Sequence, residues 1–411
     1  MPLKLVIVGA GPAGFRAAEV LRQQAPDSEI TLVGDEPHLP YQRPPLSKAY
    51  LAEGLADSAL LLQAESFYEQ QRIALQLGAT ATRIDRRAKQ VELADGSRLA
   101  YDKLLIATGC RARRLTAFDH LPIHYLRDLD DAYRIRAALA PGRSLVLIGG
   151  GFIGLEIAAS SAKLGATVTV LEVLPRLMSR AMPPIVSDFA RALHERHGVR
   201  LELGIKIEVI EATGGGLVVR TEQGQHVCDL LVAGVGAVPN TELADAAGLL
   251  VENGIRVDSR GRTSDPDIYA AGDVTQHDNP LLGRAIRIES WQVALNQAAA
   301  VARCMLGAPE PYAELPWMWT DQYDSNIQVL GVPSPESELI VRGDALSGKF
   351  TALELSESGR IVAAITVNTG RDMSALRRLA SAKTSFPREV LADAARPLAE
   401  LAKAAQRASQ P

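Results

Sequence analysis

The stretch Leu3–Gly14, LKLVIVGAGPAG, decides the fold. Its apolar run, Leu5 to Val8, is typical of a central strand in a parallel sheet covered on both faces. Gly9, Gly11 and Gly14 follow in the spacing G-x-G-x-x-G. In this pattern the first glycine allows a tight turn, the second lets the backbone approach a pyrophosphate, and the third lets a helix pack on the strand. The free N–H groups where that helix begins would attract the phosphates.

A second predicted strand, Glu29–Val33, lies about twenty residues further on, the spacing typical of this unit, and is followed by Asp35. An acid in this place would hold the 2′-hydroxyl of a dinucleotide's ribose. The same order of elements occurs again later in the chain. The second unit consists of the stretch SLVLIGGGFIG (144–154) with Gly149, Gly151 and Gly154, a helix, the strand Thr167–Leu171, and Glu172. Two such units predict an α/β protein with two Rossmann-like dinucleotide-binding domains.

The pattern changes after Pro316, which predicts a third domain of the α+β class. Four short strands with turns between them predict an antiparallel sheet: Ile327–Val332, Glu338–Arg342, Lys349–Leu355 and Ile361–Val367. Two helices should follow, from about Ser374 and from about Arg388. Earlier in the chain, a hairpin is predicted over residues 90–101, and a helix over residues 290–306 that Ser290 can cap.

Composition sets the limits on the kind of protein. The chain has 411 residues, 47% of them hydrophobic, which predicts two or three globular domains. A net charge of −4 argues against a general nucleic-acid binder. No apolar run reaches the length of a membrane span, and a strand is predicted at once, so we expect no signal peptide and a cytoplasmic location. The cysteines Cys110, Cys228 and Cys304 are too far apart in sequence to suggest a metal cluster or a redox pair.

Further motifs identify a resemblance that covers nearly the whole chain. The stretches ATG (107–109), GGGFIGLE (149–156), GVGAVPN (234–240) and TSDPDIYAAGDV (263–274) resemble the two-dinucleotide-binding flavoprotein disulfide reductases, with glutathione-reductase-like architecture. The stretches YQRPPLSKAYL (41–51), YLRDLDDA (125–132) and PWMWTDQYD (316–324) are similar to one branch of that superfamily. This branch is the bacterial ferredoxin reductases of the putidaredoxin reductase type, which include the reductase components of aromatic-ring dioxygenases.

The resemblance implies FAD in the first unit and NADH in the second. It implies a discontinuous FAD domain (1–109 and 241–316), an NADH domain (110–240) and a C-terminal domain (317–411). Matching motifs place the FAD contacts at Gly9, Gly11, Ala13, Gly14, Asp35, Arg43, Lys48, Ala81, Thr108, Arg127, Asp273 and Trp291. They place the NADH contacts at Gly149, Gly151, Ile153, Gly154, Glu172 and Gly236.

Several of these residues have a second interpretation. Trp291 opens a helix whose positive end could lie beside the flavin; the alternative is a core residue. Asp273 could receive a ribityl hydroxyl or cap a helix, and Arg43 and Arg127 could balance the pyrophosphate or form surface salt bridges.

Glu172 predicts a preference for NADH over NADPH. A carboxylate there accepts hydrogen bonds from the ribose hydroxyls and repels a 2′-phosphate. Val173 and Leu174 follow it, with no adjacent arginine to receive a phosphate. Arg176 lies a little further on and is the one residue that weakens this prediction.

The resemblance places Lys48 and Glu156 near the flavin and the nicotinamide. A buried lysine there needs a partner such as Glu156, since an unpaired buried charge is costly; the alternative is a solvated loop lysine. No cysteine occurs between Arg43 and Lys48, in the region where disulfide reductases carry their redox pair. The flavin should therefore pass single electrons directly to a [2Fe–2S] ferredoxin that supplies an oxygenase. Trp319, and less clearly Trp317, would line the exposed side of the flavin or simply pack under the third domain.

A ferredoxin partner should be acidic. The stretch Arg371–Pro411 carries eight basic and four acidic residues, which could steer such a partner or could be a solvated helical face. Two other functions stay open: an NADH oxidase or nitrite-reductase-like flavoenzyme, and an NADH-sensing flavoprotein like apoptosis-inducing factor. Neither a nucleic-acid nor a membrane partner is expected, and the sequence does not define an oligomeric state.

Overall fold

The fold is described from a computed structural model for residues 2–334, 336–382 and 384–408. Lys383, part of the basic stretch, lies outside these residues. The α-helices are α1 (Pro12–Gln24), α2 (Ala49–Glu53), α3 (Glu65–Gln70), α4 (Leu129–Ala138), α5 (Phe152–Lys163), α6 (Pro184–Arg196), α7 (Glu242–Ala246), α8 (Trp291–Met305), α9 (Met373–Ala382), α10 (Arg388–Ala392) and α11 (Leu398–Ala408). Short 3₁₀ helices cover Pro44–Ser47, Asp57–Ala59, Thr116–Phe118 and Gly370–Asp372.

The strands are β1 (Lys4–Val8), β2 (Glu29–Val33), β3 (Ile73–Gln76), β4 (Ala81–Asp85), β5 (Gln90–Leu93), β6 (Arg98–Ala100), β7 (Lys103–Ile106), β8 (Cys110–Ala112), β9 (Ser144–Ile148), β10 (Thr167–Glu172), β11 (Arg200–Leu203), β12 (Ile207–Thr213), β13 (Gly216–Thr221), β14 (Gly224–Cys228), β15 (Leu230–Ala233), β16 (Ala237–Pro239), β17 (Val251–Glu252), β18 (Gly254–Val257), β19 (Ile268–Ala270), β20 (Thr275–Asn279), β21 (Arg284–Ile286), β22 (Trp317–Gln322), β23 (Ser325–Gly331), β24 (Glu338–Asp344), β25 (Lys349–Leu355) and β26 (Ile361–Val367).

The chain divides into two compact units, and each is assembled from separate segments. The first unit consists of Met1–Arg43, Ala56–Arg111 and Ala237–Pro316. The second consists of Pro44–Leu55, Ala112–Gly236 and Trp317–Pro411. The short segment 44–55 thus belongs with residues that come much later in the sequence. The division into three functional domains stays a prediction.

The first unit is built on a parallel sheet of order β19-β7-β1-β2-β3. Strand β1 lies in its centre and is buried from Leu5 to Val8, as the apolar run predicted. Helix α1 begins directly after the glycine turn, with Pro12 at its first position, where the missing N–H costs no hydrogen bond. Helices α1 and α8 share one core with this sheet, and small residues such as Ala17 and Ala298 let the backbones approach closely.

The second unit contains a parallel sheet of order β11-β10-β9-β15 and an antiparallel sheet of order β22-β23-β26-β25-β24. Helix α6 joins them, because its apolar face packs in one cluster with the antiparallel sheet. Within that cluster the rings of Phe189 and Phe350 meet edge to face at 6.2 Å. The predicted mixed α/β fold, with two Rossmann-like sheets and a C-terminal antiparallel sheet, is confirmed.

Strand β22 was not predicted, because its polarity is inverted. Its buried positions are the polar Thr320 and Gln322, whereas Trp317 and Trp319 are only half-buried. Within the described part of the C-terminal end there are three α-helices where the sequence predicted two, because Pro397 separates α10 from α11 and disfavours helical geometry in the residue before it. Ser290 precedes α8 as predicted, but its side chain makes no capping hydrogen bond.

Among the described residues, no helix combines the length and the apolar character needed to cross a bilayer.

Candidate functional site

The three glycines of the first unit form a cradle at the carboxyl end of β1. Gly9 has φ +117°, and a Cβ there would lie 2.2 Å from the carbonyl oxygen of Ala107. A Cβ on Gly14 would lie 1.8 Å from the carbonyl oxygen of Gly9. A Cβ on Gly11, by contrast, meets nothing within 4 Å. Gly9 and Gly14 are therefore required by backbone packing, whereas Gly11 faces open space where α1 begins, which fits a phosphate group.

The second unit repeats this cradle at the carboxyl end of β9. Gly149 has φ +105°, and a Cβ there would lie 2.4 Å from the carbonyl oxygen of Gly234. A Cβ on Gly154 would lie 2.2 Å from the oxygen of Gly149, and Gly151 again meets nothing within 4 Å. Ile153, in the first turn of α5, is 45% exposed. Both cradles therefore leave the room that a pyrophosphate needs at a helix N-terminus.

The two acids differ in their surroundings. Asp35 is exposed and makes no hydrogen bond among the residues that the structure describes. Glu172 is buried, and its two oxygens accept the N–H groups of Gly150, at 2.6 Å, and Leu174, at 2.7 Å.

Arg176 is tied to the start of α6. Its guanidinium donates to the hydroxyl of Ser187 at 2.8 Å and to the carbonyl of Met182 at 3.3 Å. These bonds compete with any role in receiving a 2′-phosphate, which favours the NADH interpretation of Glu172.

Asp273 and Thr108 lie on loops of the first unit that hydrogen bonds hold in place. Asp273 is in a turn that leads into β20, so the helix-cap interpretation is wrong. The N–H of the preceding Gly272 donates to Gln297 of α8 at 2.8 Å. The hydroxyl of Thr108 donates to the carbonyl of Asn240 at 2.8 Å, which joins two of the three segments of this unit.

The other predicted FAD contacts of the first unit surround the same sheet. Trp291 is the first residue of α8, Ala13 lies in the first turn of α1, and Ala81 opens β4. Arg43 forms an ion pair with Glu36, so the salt bridge that the sequence left open for it is present.

Two predicted FAD contacts, Arg127 and Lys48, belong to the second unit. Arg127 precedes α4, and its N–H donates to Asp131 at 2.9 Å. Gly236, a predicted NADH contact, has φ +110°, and its carbonyl accepts the N–H of Arg113 at 2.9 Å.

Lys48 and Glu156 meet inside the second unit. The Nζ of Lys48 lies 2.9 Å from Oε1 of Glu156, which is 3% exposed. The hydroxyls of Ser47 and Thr320 also donate to this carboxylate, the latter at 2.6 Å. Three donors, one of them the positively charged ammonium of Lys48, thus satisfy the buried carboxylate of Glu156. The sequence did not identify Ser47 and Thr320, although each lies directly next to a predicted site residue.

Trp317 and Trp319 stack on each other beside this pair. Their ring centroids are 5.2 Å apart with an interplanar angle of 22°. The ammonium of Lys48 lies 6.0 Å from the ring of Trp319, and the guanidinium of Arg377 lies 4.7 Å from that of Trp317. A shallow depression continues from here along Trp317, Gln328, Met373, Ser374, Arg377 and Arg378.

The three cysteines are buried and form no disulfide with one another. Burial raises the pKa of Cys228 to about 11 and also raises the pKa of Cys304. The thiolate form is the reactive one, so burial suppresses redox chemistry at these two sites. Among the described residues, no cluster of three or more His, Cys, Asp or Glu side chains could hold a metal ion.

Two phosphate cradles on parallel sheets, with a half-buried lysine paired to a buried carboxylate in one unit, define a dinucleotide-dependent oxidoreductase. The family model described as pyridine nucleotide-disulphide oxidoreductase matches residues 3–298, and the reductase C-terminal model matches residues 317–402. The chain belongs to the pyridine nucleotide-disulphide oxidoreductase family. Members of this family bind FAD and NAD(P)H, and the open space at Gly11 and Gly151 fits such cofactors.

Related proteins match the chain over nearly its full length. The ferredoxin–NAD(+) reductase component of the anthranilate 1,2-dioxygenase system of Burkholderia cepacia is 48% identical, covering 94% of this chain and 96% of that protein. Putidaredoxin reductase of Pseudomonas putida is 37% identical, covering 98% and 97%. The crystal structure of the covalent putidaredoxin reductase–putidaredoxin complex superposes with a TM-score of 0.93 at 37% identity, over 98% of this chain and 99% of that one.

Proposed function

We propose that this chain is an NADH-dependent ferredoxin reductase that carries FAD. It oxidises NADH and reduces, one electron at a time, a [2Fe–2S] ferredoxin that supplies a Rieske dioxygenase or a P450. Bound FAD supplies the chemistry that converts a hydride into single electrons. The observation that carries the proposal is the site around Lys48, where a partly buried ion pair lies beside Trp319 and no cysteine occurs among the neighbouring residues of its loop.

The chain's own residues bind, orient and balance charge. Each glycine cradle directs free N–H groups of a helix N-terminus toward a pyrophosphate. Asp35 and Glu172 provide carboxylates for ribose hydroxyls, and we assign the NADH preference to Glu172. Glu156 holds Lys48 in place, so that its ammonium can stabilise negative charge that develops nearby during the reaction.

Two features support an acidic ferredoxin as the partner. Proteins similar to this chain are named as ferredoxin–NAD(+) reductase components, and one was crystallised with putidaredoxin. In this chain, Arg377 lies over Trp317, and Arg378 lines the same depression. We propose this arginine–tryptophan surface as the docking site. Other members of the basic stretch are less available; Arg388, for example, pairs with Glu338.

We place the enzyme in the cytoplasm. NADH is supplied there, and cysteines that form no disulfide suit a compartment that keeps thiols reduced.

The function is tested with purified protein loaded with FAD, NADH, cytochrome c and a [2Fe–2S] ferredoxin from a dioxygenase system. We expect rapid cytochrome c reduction only when ferredoxin is present. Equal rates without ferredoxin, with oxygen consumed instead, would favour the NADH oxidase alternative. Slow flavin reduction and a persistent charge-transfer band would favour the NADH-sensing alternative.

The docking site is tested with the double variant Arg377→Glu/Arg378→Glu. Because rim charges govern association rates, ferredoxin reduction at low salt should slow about tenfold and lose its salt dependence. NADH-to-ferricyanide activity should not change. The matched control, Lys403→Glu/Arg407→Glu, makes the same change in net charge in the same stretch. Equal slowing by both variants would show that overall charge, and not this surface, steers the partner.

A further inference from the structure

A line of buried polar side chains continues from Glu156 into the interior of the second unit. Beyond the bond from Thr320 to Glu156, the Nε2 of Gln322 donates to the hydroxyl of Thr320 at 3.2 Å. The Nε2 of His194 lies 2.9 Å from Oε1 of Gln322, and the hydroxyl of Tyr323 lies 3.4 Å from Nδ1 of His194. Thr320, Gln322 and His194 are each 1% exposed or less.

The donors and acceptors of these groups allow only one direction of hydrogen bonding along the line. Thr320 has a single hydroxyl proton, which it donates to the Glu156 carboxylate. Its oxygen must then accept, so Gln322 turns its amide N–H toward it and leaves its carbonyl for His194. His194 therefore carries its proton on Nε2, and its Nδ1 accepts from Tyr323. Each donor has one acceptor, and the series ends on the Glu156 carboxylate, which accepts from Thr320.

Strand β22 connects this line to the tryptophans. Side chains alternate along a strand, so Thr320 and Gln322 share the buried face while Trp317 and Trp319 lie on the other. Their bonds to Glu156 on α5 and His194 on α6 fix the register of the strand. A shift of one residue would exchange the two faces and displace Trp319 from Lys48.

We propose that Thr320, Gln322 and His194 are positioning residues that hold the Glu156 carboxylate against Lys48 and hold Trp319 beside Lys48. This inference rests on the proposed function, in which Lys48 and Glu156 serve the reaction with NADH. None of the three touches the cofactors in this scheme; they act through the carboxylate and through the register of β22.

The charges around the line favour this arrangement. Glu156 faces Lys48 and Ser47 from the segment 44–55, and Thr320 from β22. His194 faces Gln322 and Tyr323, with His197 stacked on the Tyr323 ring at 3.7 Å. Burial lowers the pKa of His194 to about 4, so the imidazole is neutral at physiological pH, as the direction of the line requires.

The test compares Thr320→Val, which removes the hydroxyl, with Thr320→Ser, which keeps it. Thr366→Val is the matched control: Thr366 is fully buried in the same sheet, and its hydroxyl has no hydrogen-bond partner among the described residues. Two readouts are followed against pH in FAD-loaded protein. One is the rate of flavin reduction by NADH; the other is the infrared C=O band of a protonated carboxyl, assigned by its loss in Thr320→Val/Glu156→Gln.

We expect the protonated-carboxyl band and the acid limb of the rate profile to move up by about one pH unit or more in Thr320→Val, because a charged hydrogen bond is lost. Thr320→Ser and Thr366→Val should behave as wild type. Gln322→Met, a second variant that retains the Thr320 hydroxyl, should give a smaller shift in the same direction and change Trp fluorescence.

A Thr320→Val protein with wild-type band and pH profile would overturn the inference while leaving the ferredoxin reductase function standing. Conversely, the band can move as expected in a protein that fails to reduce ferredoxin with NADH. In that case the proposed function is wrong and the positioning role of Thr320 holds.

Discussion

The two glycine cradles share one backbone design but place their acids differently. Strand registers align them: Val8 of β1 faces Val33 of β2, and Ile148 of β9 faces Leu171 of β10. In the first cradle the residue after Val33 is Gly34, and in the second cradle the residue after Leu171 is Glu172. Asp35 therefore matches Val173, so the two acids stand one residue apart although their motifs look alike.

The two cradles also carry one of their glycines at different positions. A Cβ on Gly34 would lie 2.6 Å from that of Ala10, so the first cradle needs glycine after its second strand. In the second cradle the glycine is Gly150, where a Cβ would lie 2.6 Å from Leu177 and 3.4 Å from Glu172. Glu172 can therefore fold back onto the turn and bind its N–H. Glu172 therefore stabilises the turn of its own cradle, and Asp35 has no such structural role.

The largest expected effect is on the affinity for the cofactor that each cradle binds. Because Gly11 and Gly151 face open space, alanine at either position should leave the thermal unfolding temperature unchanged. Gly11→Ala should weaken FAD binding about 100-fold, since phosphate hydrogen bonds are lost. Gly151→Ala should keep FAD and weaken NADH binding to a similar degree. Flavin release on dilution and NADH titrations measure the two; loss of FAD from Gly151→Ala would contradict the assignment.

Substitution of the two acids should have smaller effects. We expect one substitution to weaken cofactor binding without changing stability and the other to lower stability. Asp35→Asn should weaken FAD binding about tenfold without changing stability, because Asp35 is exposed. Glu172→Gln should lower stability by about 1–2 kcal/mol, because its amide NH₂ would face the N–H of Gly150 or Leu174.

The same Glu172→Gln variant should also raise the ratio of kcat/KM for NADPH to that for NADH. Initial rates with both coenzymes, and calorimetric unfolding of both variants, check these outcomes. Equal efficiency of NADPH and NADH in the wild type would show that the interpretation of Glu172 is wrong.

The smallest effect compares one buried histidine from each unit. Burial lowers the pKa of His277 in the first unit, and of His194 in the second, to about 4. The unfolded chain then binds more protons between pH 6.5 and 4, so the stability that each neutral imidazole contributes is lost as pH falls through this window.

Phenylalanine substitutions separate the two histidines. His277→Phe should weaken the acid sensitivity and keep stability at pH 7, since neither ring nitrogen has a hydrogen-bond partner among the described residues. His194→Phe should lower the unfolding temperature by about 3 °C at pH 7, because Gln322 loses its donor. Unfolding temperatures at pH 7 and pH 5 measure the stability and the acid sensitivity of both variants. An equal decrease in unfolding temperature for the two variants would contradict this distinction.

Local patterns made much of this fold predictable. The apolar run of β1, the glycines of both cradles, the hairpin β5–β6 and helix α8 all depend on residues close in sequence. The site around Glu156 does not: Ser47 lies 109 residues before it and Thr320 lies 164 after it. Strand β22 was not predicted for a related reason. Its buried face is polar because Thr320 and Gln322 form hydrogen bonds with Glu156 and His194, which lie far away in the sequence.

The interleaving of segments has a consequence for how the chain is made. Sheet strand β19 and helix α8 complete the core around β1, yet they are synthesised about 260 residues or more after it. At usual ribosome speeds this delay is roughly 15 to 60 seconds. Meanwhile the segment 44–55 has emerged between two parts of the first unit but belongs to the second. A nascent chain must therefore hold its first cradle half-built and its apolar strand exposed, which makes early engagement by chaperones an advantage during synthesis.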